Sequence, residues 1–332
     1  MPETFWHGRS VFVTGAGGFV GSWLARALVE RGATVTVILR DEPAQQNPRP
    51  FGERTGVNIL RGSITEYAAV ERAINEYDVD TVFHLAAQAI VGPANRSPLS
   101  TFESNIRGTW TVLEASRSCD TVRRVVIASS DKAYGAQPAL PYVETAQLLG
   151  SAPYEASKVC ADVLARSYHL AFDLPVAVAR CANIYGGGDF NLSRLVPGTI
   201  KSILAGEPPI IRSDGTPVRD YLYVDDAVSA YLALGQCPDE ALSGDSAFNF
   251  GSGEPVSVLD LVRRIAAACG TPGIEPRVLG EGPGTNEIDR QFLDSHKAAT
   301  VLGWAPRVPL DEGLRRTVQW YRRLLSEERV AA

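Results

Sequence analysis

Several absences bound this chain before any motif does. No apolar run reaches the roughly 20 residues that a membrane-spanning helix needs. No excess of positive charge exists either: 32 Lys and Arg stand against 38 Asp and Glu, a net charge of −6. Nothing in that balance points to nucleic acid or an anionic membrane, so a cation that meets an anionic ligand must be placed locally. Cysteine is sparse and dispersed. Cys119, Cys160, Cys181, Cys237 and Cys269 form no Cys-x-x-Cys or Cys/His cluster, which predicts reduced thiols in a cytoplasmic protein and no metal site. Residues 1–9 are polar and mixed, so no signal peptide is predicted. Low-complexity tracts and obvious internal repeats are missing. What is there is 332 residues, 45% apolar and 21% charged, enough to bury a large core in one large or two unequal domains.

The first fifty residues carry the strongest local signal. Residues 10–14 (Ser-Val-Phe-Val-Thr) read as a buried strand. Gly15-Ala16-Gly17-Gly18-Phe19-Val20-Gly21 follows at once, then a helical stretch from Ser22 to Arg31 that stops at Gly32, then a second strand from Ala33 to Leu39. Strand, glycine turn, helix and strand within about thirty residues is the setting of a dinucleotide site. Gly15 permits the tight turn, Gly18 lets backbone approach a pyrophosphate, and Gly21 lets the helix pack on the strand. The N-terminal N–H groups of the helix face the phosphates, and Phe19 and Val20 belong to this turn. The spacing is G-x-x-G-x-x-G. After the second strand come Arg40 and then Asp41. Arg40 would accept a 2′-phosphate and Asp41 would repel one; Asp41 and NAD are the preferred reading.

Strands and helices keep alternating. Asn58–Gly62 reads as a third strand, Glu66–Tyr77 as a helix, Thr81–Leu85 as a fourth strand and Ser97–Arg117 as a long helix with Thr101, Asn105 and Thr109 on one face. Arg124–Ala128 and Leu174–Arg180 read as a fifth and a sixth strand. The alternation predicts an α/β fold, a doubly wound parallel sheet with helices on both faces. In such sheets ligands bind beyond the C-terminal strand ends. The small and polar residues fall there: Gly15–Gly21, Ala86, Ala87, Gln88, Ser129–Lys132 and Asn183. Small side chains at Ala86 and Ala87 leave room for a cofactor. Beyond about residue 183 the rhythm breaks into mixed segments. Residues 1–183 are therefore expected to form the cofactor domain and 184–332 mostly a smaller mixed α/β substrate domain. Some of its segments are expected to cross back, with Phe248-Asn249-Phe250 returning to the main sheet.

A further pair sits downstream. Tyr154 and Lys158 are four apart on a predicted helix and share a face. An ammonium beside a phenol favours phenolate, which lets Tyr154 act as a base near neutral pH. The Ser130 hydroxyl is suited to holding the substrate oxygen that loses its proton. His84, at a strand end, reads as a hydrogen-bonded structural residue.

Taken together, these residues resemble the extended short-chain dehydrogenase/reductase family over nearly the whole chain. The matching pieces are Thr14-Gly15-x-x-Gly18-x-x-Gly21, His84-Leu85-Ala86-Ala87-Gln88, Asn105, Ser130, Tyr154-x-x-x-Lys158 and Arg180-x-x-Asn183-x-Tyr185-Gly186. Arg219-Asp220-Tyr221-x-Tyr223-Val224-x-Asp226 and Leu302-Gly303-Trp304-x-Pro306 complete them. Within the family the chain is most similar to the sugar-nucleotide 4,6-dehydratase group, above all the CDP-glucose 4,6-dehydratases. Phe5-Trp6, Gly21-Ser22-Trp23-Leu24, Ser130-Asp131-Lys132-x-Tyr134 and Gly186-Gly187-Gly188-Asp189 carry that likeness. Gly62-Ser63 stands where many relatives carry Gly-Asp, and Arg219–Val224 looks more like epimerases and other dehydratases.

The resemblance implies a Rossmann domain holding NAD, with Leu85, Ala86, Ala87, Gln88, Asn105, Tyr154 and Lys158 near the cofactor. It also implies a nucleoside-diphosphate sugar bound by Asn183, Arg219 and Arg290. Arg194 is a further candidate, and Leu195 and Val196 either wall the nucleotide base or pack the start of a helix. Asp131 would protonate the departing C6 oxygen and Lys132 would remove the C5 proton, so Lys132 must be partly neutral. A nearby cation such as NAD⁺ favours that and Asp131 opposes it, so the two roles can be shared or reversed. A 4-epimerase needs only Ser130, Tyr154, Lys158 and NAD, and is the alternative. A non-catalytic NAD-binding protein is the third reading. Two long helices near Ser97–Arg117 and Tyr154–Phe172 are expected to form a homodimer.

Overall fold

The structure, a computed structural model, describes residues 4–40, 57–280 and 288–331. β1 (Ser10–Thr14) and β2 (Thr34–Leu39) are apolar and β-branched along most of their length. That composition suits strands covered on both faces, and they pair in parallel, Ser10 opposite Thr34 through Thr14 opposite Ile38. Between them α1 (Phe19–Glu30) turns Leu24, Ala25 and Leu28 onto the sheet. The same unit repeats with β3 (Val57–Arg61), α2 (Tyr67–Glu76), β4 (Thr81–His84), α3 (Val91–Arg96), α4 (Pro98–Phe102), α5 (Gly108–Arg117), β5 (Arg124–Ala128), α6 (Pro153–Phe172) and β6 (Val176–Cys181).

The later elements are β7 (Asn183–Tyr185), α7 (Leu195–Leu204), β8 (Ile210–Ile211), β9 (Val218–Arg219), β10 (Tyr221–Tyr223) and α8 (Val224–Gln236). They continue with β11 (Ala247–Phe250), β12 (Val256–Ser257), α9 (Val258–Ala268), β13 (Arg277–Val278), β14 (Arg290–Gln291), α10 (His296–Leu302) and α11 (Leu310–Ala331). The main sheet has seven parallel strands in the order β11-β6-β5-β4-β1-β2-β3. This is the doubly wound arrangement that the alternation predicts. The expected return of Phe248-Asn249-Phe250 is β11, which pairs with β6. One face is filled by α1 and α8 through Leu24, Leu28, Ala230 and Leu234. The other is filled by α2, α5 and α6 through Val70, Ile74, Val112 and Ala165. A third core joins α7, α9 and α11 through Ile200, Leu261, Ile265, Leu314 and Val318.

One expected element differs. The helix expected over Ser97–Arg117 is broken into α4 and α5 by a π-turn at Glu103–Arg107. Such an extra residue per turn re-aims side chains and often marks a site, and here it sits on Asn105. Leu195 and Val196, expected either to wall the base or to pack the start of a helix, stand with Pro197 in the first turn of α7.

Candidate functional site

The glycine turn brings backbone against backbone. Gly15 has φ +74°, and a Cβ there would lie 2.6 Å from the Ala86 nitrogen. A Cβ at Gly21 would lie 2.2 Å from the Gly15 oxygen, so α1 meets the turn at a distance only glycine allows. A Cβ at Gly18 would meet only the Gly15 oxygen, at 3.3 Å, and would otherwise enter the space in front of α1. No side chain caps α1 at Gly18, which leaves its first-turn N–H groups directed at an anion site. Phe19 and Val20 form that first turn. Arg40 is exposed at the end of β2, and Asp41 lies outside the described residues. Ser63, just past β3, shares a 2.8 Å bond with the Thr65 hydroxyl.

Beyond β4, the Ala86 N–H donates to Thr14 Oγ1 (3.2 Å) and the Gln88 N–H donates to Asn105 Oδ1 (2.7 Å). The Asn105 amide nitrogen donates to the Gln88 carbonyl (3.1 Å) and to Ser157 Oγ (2.8 Å). Asn105, expected near the cofactor, is thus a buried strut that ties the loop after β4 to α6. The π-turn aims it there. His84 is buried between two threonines. Thr109 Oγ1 donates to the Asn105 carbonyl (2.6 Å), so His84 Nε2 must donate to Thr109 and His84 Nδ1 must accept from Thr14. Burial, then the nearby Lys158 charge, pulls its pKa down to about 3, so the ring is neutral and structural.

Ser130, Asp131, Lys132, Tyr154 and Lys158 line one cleft of about 1630 Å³ at the C-terminal ends of β4, β5 and β6, together with Val20, Leu85 and Ala87. Asp131 and Lys132 open a 3-10 turn (Asp131–Tyr134) whose start is capped by Ser130 Oγ, which accepts from the Lys132 N–H at 3.2 Å. Ser130 Oγ donates to Asp131 Oδ1 (3.0 Å), while Asp131 Oδ2 is buried without a partner. Lys132 Nζ donates to Gln291 Oε1, and Gln291 Nε2 donates to the Asp131 carbonyl (2.8 Å). The start of α6 is set by Pro153 in its first turn and by Glu155, whose carboxylate accepts from the Ser151 and Ala152 N–H groups. That places Tyr154 and Lys158 facing β5. Lys158 Nζ donates to the Ala128 carbonyl (2.6 Å). Burial pushes the Tyr154 phenol up to about 12, with Ser130 pulling the other way, and lowers Lys158 to about 8. Burial dominates at Tyr154 and disfavours the charged form of its phenol.

The diphosphate candidates separate. Asn183, Arg194, Leu195, Val196 and Arg219 line the cleft. Asn183 Nδ2 donates to the Asp220 carbonyl (3.1 Å), and Arg194 pairs with the buried Asp189 (3.0 Å). Arg219 Nη1 donates to the Val218 and Asp289 carbonyls. Arg290 is not among the cleft residues. It is exposed, with its guanidinium over the Phe292 ring at 5.7 Å. In β14 side chains alternate, so Gln291 points inward and Arg290 outward.

The match to known proteins is broad. The model of the NAD dependent epimerase/dehydratase family covers residues 11–251. The chain belongs to the NAD-dependent epimerase/dehydratase family. It is 31% identical to a CDP-glucose 4,6-dehydratase of Salmonella typhimurium over 97% of this chain and 93% of that one. It is 32% identical to a UDP-glucose 4-epimerase of Mycolicibacterium smegmatis, over 93% and 97% respectively. Among solved structures, the UDP-glucose 4-epimerase of Thermus thermophilus in complex with NAD superposes with a TM-score of 0.82 at 31% identity, over 94% of this chain and 99% of that one.

NAD is the cofactor of this family, and the residues present fit it. The turn at Gly15–Gly21 has no room for side chains where backbone must approach, and the uncapped α1 faces the same cleft as Ala87, Tyr154 and Lys158. The family member also carries groups that no local motif announced. Gln291 reaches Asp131 and Lys132 from 160 residues away. Arg180 and Asp162, both fully buried, pair through two 2.8 Å bonds. Arg180 was legible as a motif residue. Its partner was not, although Asp162 stands one helical turn after Lys158.

Proposed function

We propose that this protein is an NAD-dependent nucleoside-diphosphate-hexose 4,6-dehydratase, a lyase that forms a 4-keto-6-deoxy sugar from a CDP-glucose- or GDP-mannose-type substrate. The observation that carries the reading is the Asp131–Lys132 pair, placed on the turn that follows Ser130 and lining the cleft of Tyr154 and Lys158. Tyr154 takes the proton of the C4 hydroxyl, with Ser130 holding that oxygen; burial raises its phenol to about 12, so the phenolate requires the positive charges of Lys158 and of bound NAD⁺ beside it. Lys158 carries its charge at neutral pH and sits below Tyr154 on α6, where a cation favours the phenolate. When bound on the Gly15–Gly21 turn beside Tyr154 and Lys158, NAD would supply the acceptance of hydride from C4 and its return to C6, leaving the net redox change at zero. With a ketone at C4 the C5 proton becomes acidic, and the Lys132 amine removes it. Asp131 protonates the C6 hydroxyl, which leaves as water. Lys132 then returns its proton to C5, and the proton taken by Tyr154 restores Asp131. The unpartnered Asp131 Oδ2 supports this role, because a buried carboxylate oxygen without a donor is costly unless a ligand or a proton meets it.

On this reading residues 184–332 mostly form the substrate domain, and Asn183, Arg194 and Arg219 hold the diphosphate. Arginine suits that task because its planar donors bond two oxygens at once. A 4-epimerase is the second reading: the relatives include both activities, and Ser130, Tyr154 and Lys158 alone serve it. Incubation with a panel of nucleoside-diphosphate sugars, read by mass, separates the two. Loss of one water supports dehydration; an unchanged mass with inverted C4 supports epimerisation. Lys132→Ala is expected to slow water loss about 100-fold or more while sparing C4 oxidation, and full turnover by the variant would remove Lys132 from the chemistry.

A homodimer through α4, α5 and α6 is part of the proposal. Leu99 and Trp110 on the first two, and Val163 and Leu170 on the third, are exposed apolar residues that a partner would cover. Sedimentation as a monomer would refute it. No described helix is long and apolar enough to cross a membrane. All five cysteines are unpaired, which supports a reducing cytoplasmic setting.

A further inference from the structure

The Asp131–Lys132 turn, capped locally by Ser130, is also tied to a distant strand. β14 runs parallel to β9, with Gln291 opposite Arg219, and turns the Gln291 side chain inward until it is fully buried. One carboxamide then makes two bonds: its nitrogen donates to the Asp131 carbonyl (2.8 Å), and its oxygen accepts from Lys132 Nζ. The Asp131 carbonyl only accepts and the lysine only donates while charged, so the amide orientation is fixed by both neighbours. Gln291 is not among the residues that line the cleft.

We propose that Gln291 is the positioning residue for the dehydration step, holding the Lys132 nitrogen in register with the sugar while pinning the Asp131 main chain. The inference rests on the dehydratase reading above. A lysine that must take a proton from carbon needs three things: a fixed nitrogen, a free lone pair and no charge. The neutral amine has two N–H groups. One goes to Gln291 Oε1, and the lone pair is left for the C5 proton. A carboxylate at the same place would also fix the nitrogen, but it would favour the ammonium and remove the base. An amide fixes it without adding charge.

The other charged and titratable groups near the turn are already engaged or remote from this bond. α6 presents Tyr154, Glu155 and Lys158; the Glu155 carboxylate accepts from the Ser151 and Ala152 N–H groups, and Lys158 Nζ is on the Ala128 carbonyl. β9 and the residue after it present Arg219, whose guanidinium donates to two carbonyls, and Asp220, whose Oδ1 accepts from Ser252 while its Oδ2 is buried without a partner. Tyr142 donates to the Gly135 carbonyl. Beside Gln291, Arg290 is turned outward over Phe292 and Asp289 is exposed.

The test uses the full chain with its bound NAD and two variants, Gln291→Met and Gln291→Glu. Wild type is first assayed for water loss from nucleoside-diphosphate hexoses. Gln291→Met is expected to lower kcat for water loss about 10- to 100-fold, with KM nearly unchanged. The appearance of reduced nicotinamide in a single turnover, which reports C4 oxidation, should keep its rate. Gln291→Glu is expected to move the rise of kcat with pH upward by about one unit or more, because a carboxylate beside Lys132 favours its protonated form. Wild-type rates and an unshifted profile in both variants would overturn the proposal. So would an equal fall in C4 oxidation and water loss, which marks a merely structural role. If wild type itself loses no water from any sugar, the dehydratase reading fails first, and this inference falls with it.

Discussion

Replacing Asp162 with Asn should be among the most damaging changes outside the cleft. Asp162 and Arg180 are both fully buried and share two bonds of 2.8 Å, from Nε and Nη2 to the two carboxylate oxygens. The amide is the same size, so no cavity opens. What changes is charge: the Arg180 guanidinium stays ionised in a fully buried site. Breaking one side of such a pair costs about 3–5 kcal/mol. Two bonds from Nη1, to the Tyr134 hydroxyl and the Glu144 carbonyl (each 2.9 Å), survive and keep the loss near the lower figure. With an m-value near 3 kcal/mol/M, the urea midpoint should fall by about 1 M. Asp162 also helps to hold up the pKa of Lys158, one helical turn away. Its loss should therefore move the alkaline limb of activity to lower pH, because Lys158 sheds its charge sooner. Urea titration at fixed NAD and a pH–rate profile read the two effects. The double change Asp162→Leu with Arg180→Met should recover part of the stability, since no unpaired ion remains. A single-variant loss under about 1 kcal/mol, the scale of an exposed pair, would refute the reasoning.

Gly21→Ala places a carbon 2.2 Å from the Gly15 oxygen; the protein should purify with little NAD, and full cofactor content would contradict the cradle. His84 has a folded pKa of about 3 against about 6.5 unfolded. Its contribution is present above the unfolded value and lost as pH falls, because the unfolded chain takes a proton that the native chain refuses. By about pH 5 this removes about 2 kcal/mol. His84→Gln should flatten that slope in urea titrations, and identical slopes would exclude His84 as the cause.

Sequence made the cradle and the cleft readable because both are local. Gly15 to Gly21 is one turn, Ser130 to Lys132 is one strand end, and Tyr154 and Lys158 share one helical face. The strand that returns at Phe248–Phe250 was also readable, from its apolar run. The groups that hold these pieces were not. Gln291 and Lys132 are 159 residues apart, and Tyr134 meets Asn249 across 115. Such pairs are set by topology, which no spacing reports. β14 is only two residues long, too short for an alternation pattern to say that Gln291 faces inward and Arg290 outward. Asn105 was found by motif but its bonds were not, since the π-turn that swings it toward Gln88 and Ser157 leaves no mark in a helical pattern.

The seventh strand carries a consequence for biosynthesis. β6 reaches its outer neighbour only when β11 arrives, more than sixty residues later in the chain. Until then a nascent polypeptide emerging from the ribosome would bear an apolar strand with a raw, sticky border, the kind that recruits stray strands from other molecules. A fragment cut just after β6 would keep that border for good. The first half of the chain is thus no freestanding module, and its completion waits on the same late segment that leads to Gln291.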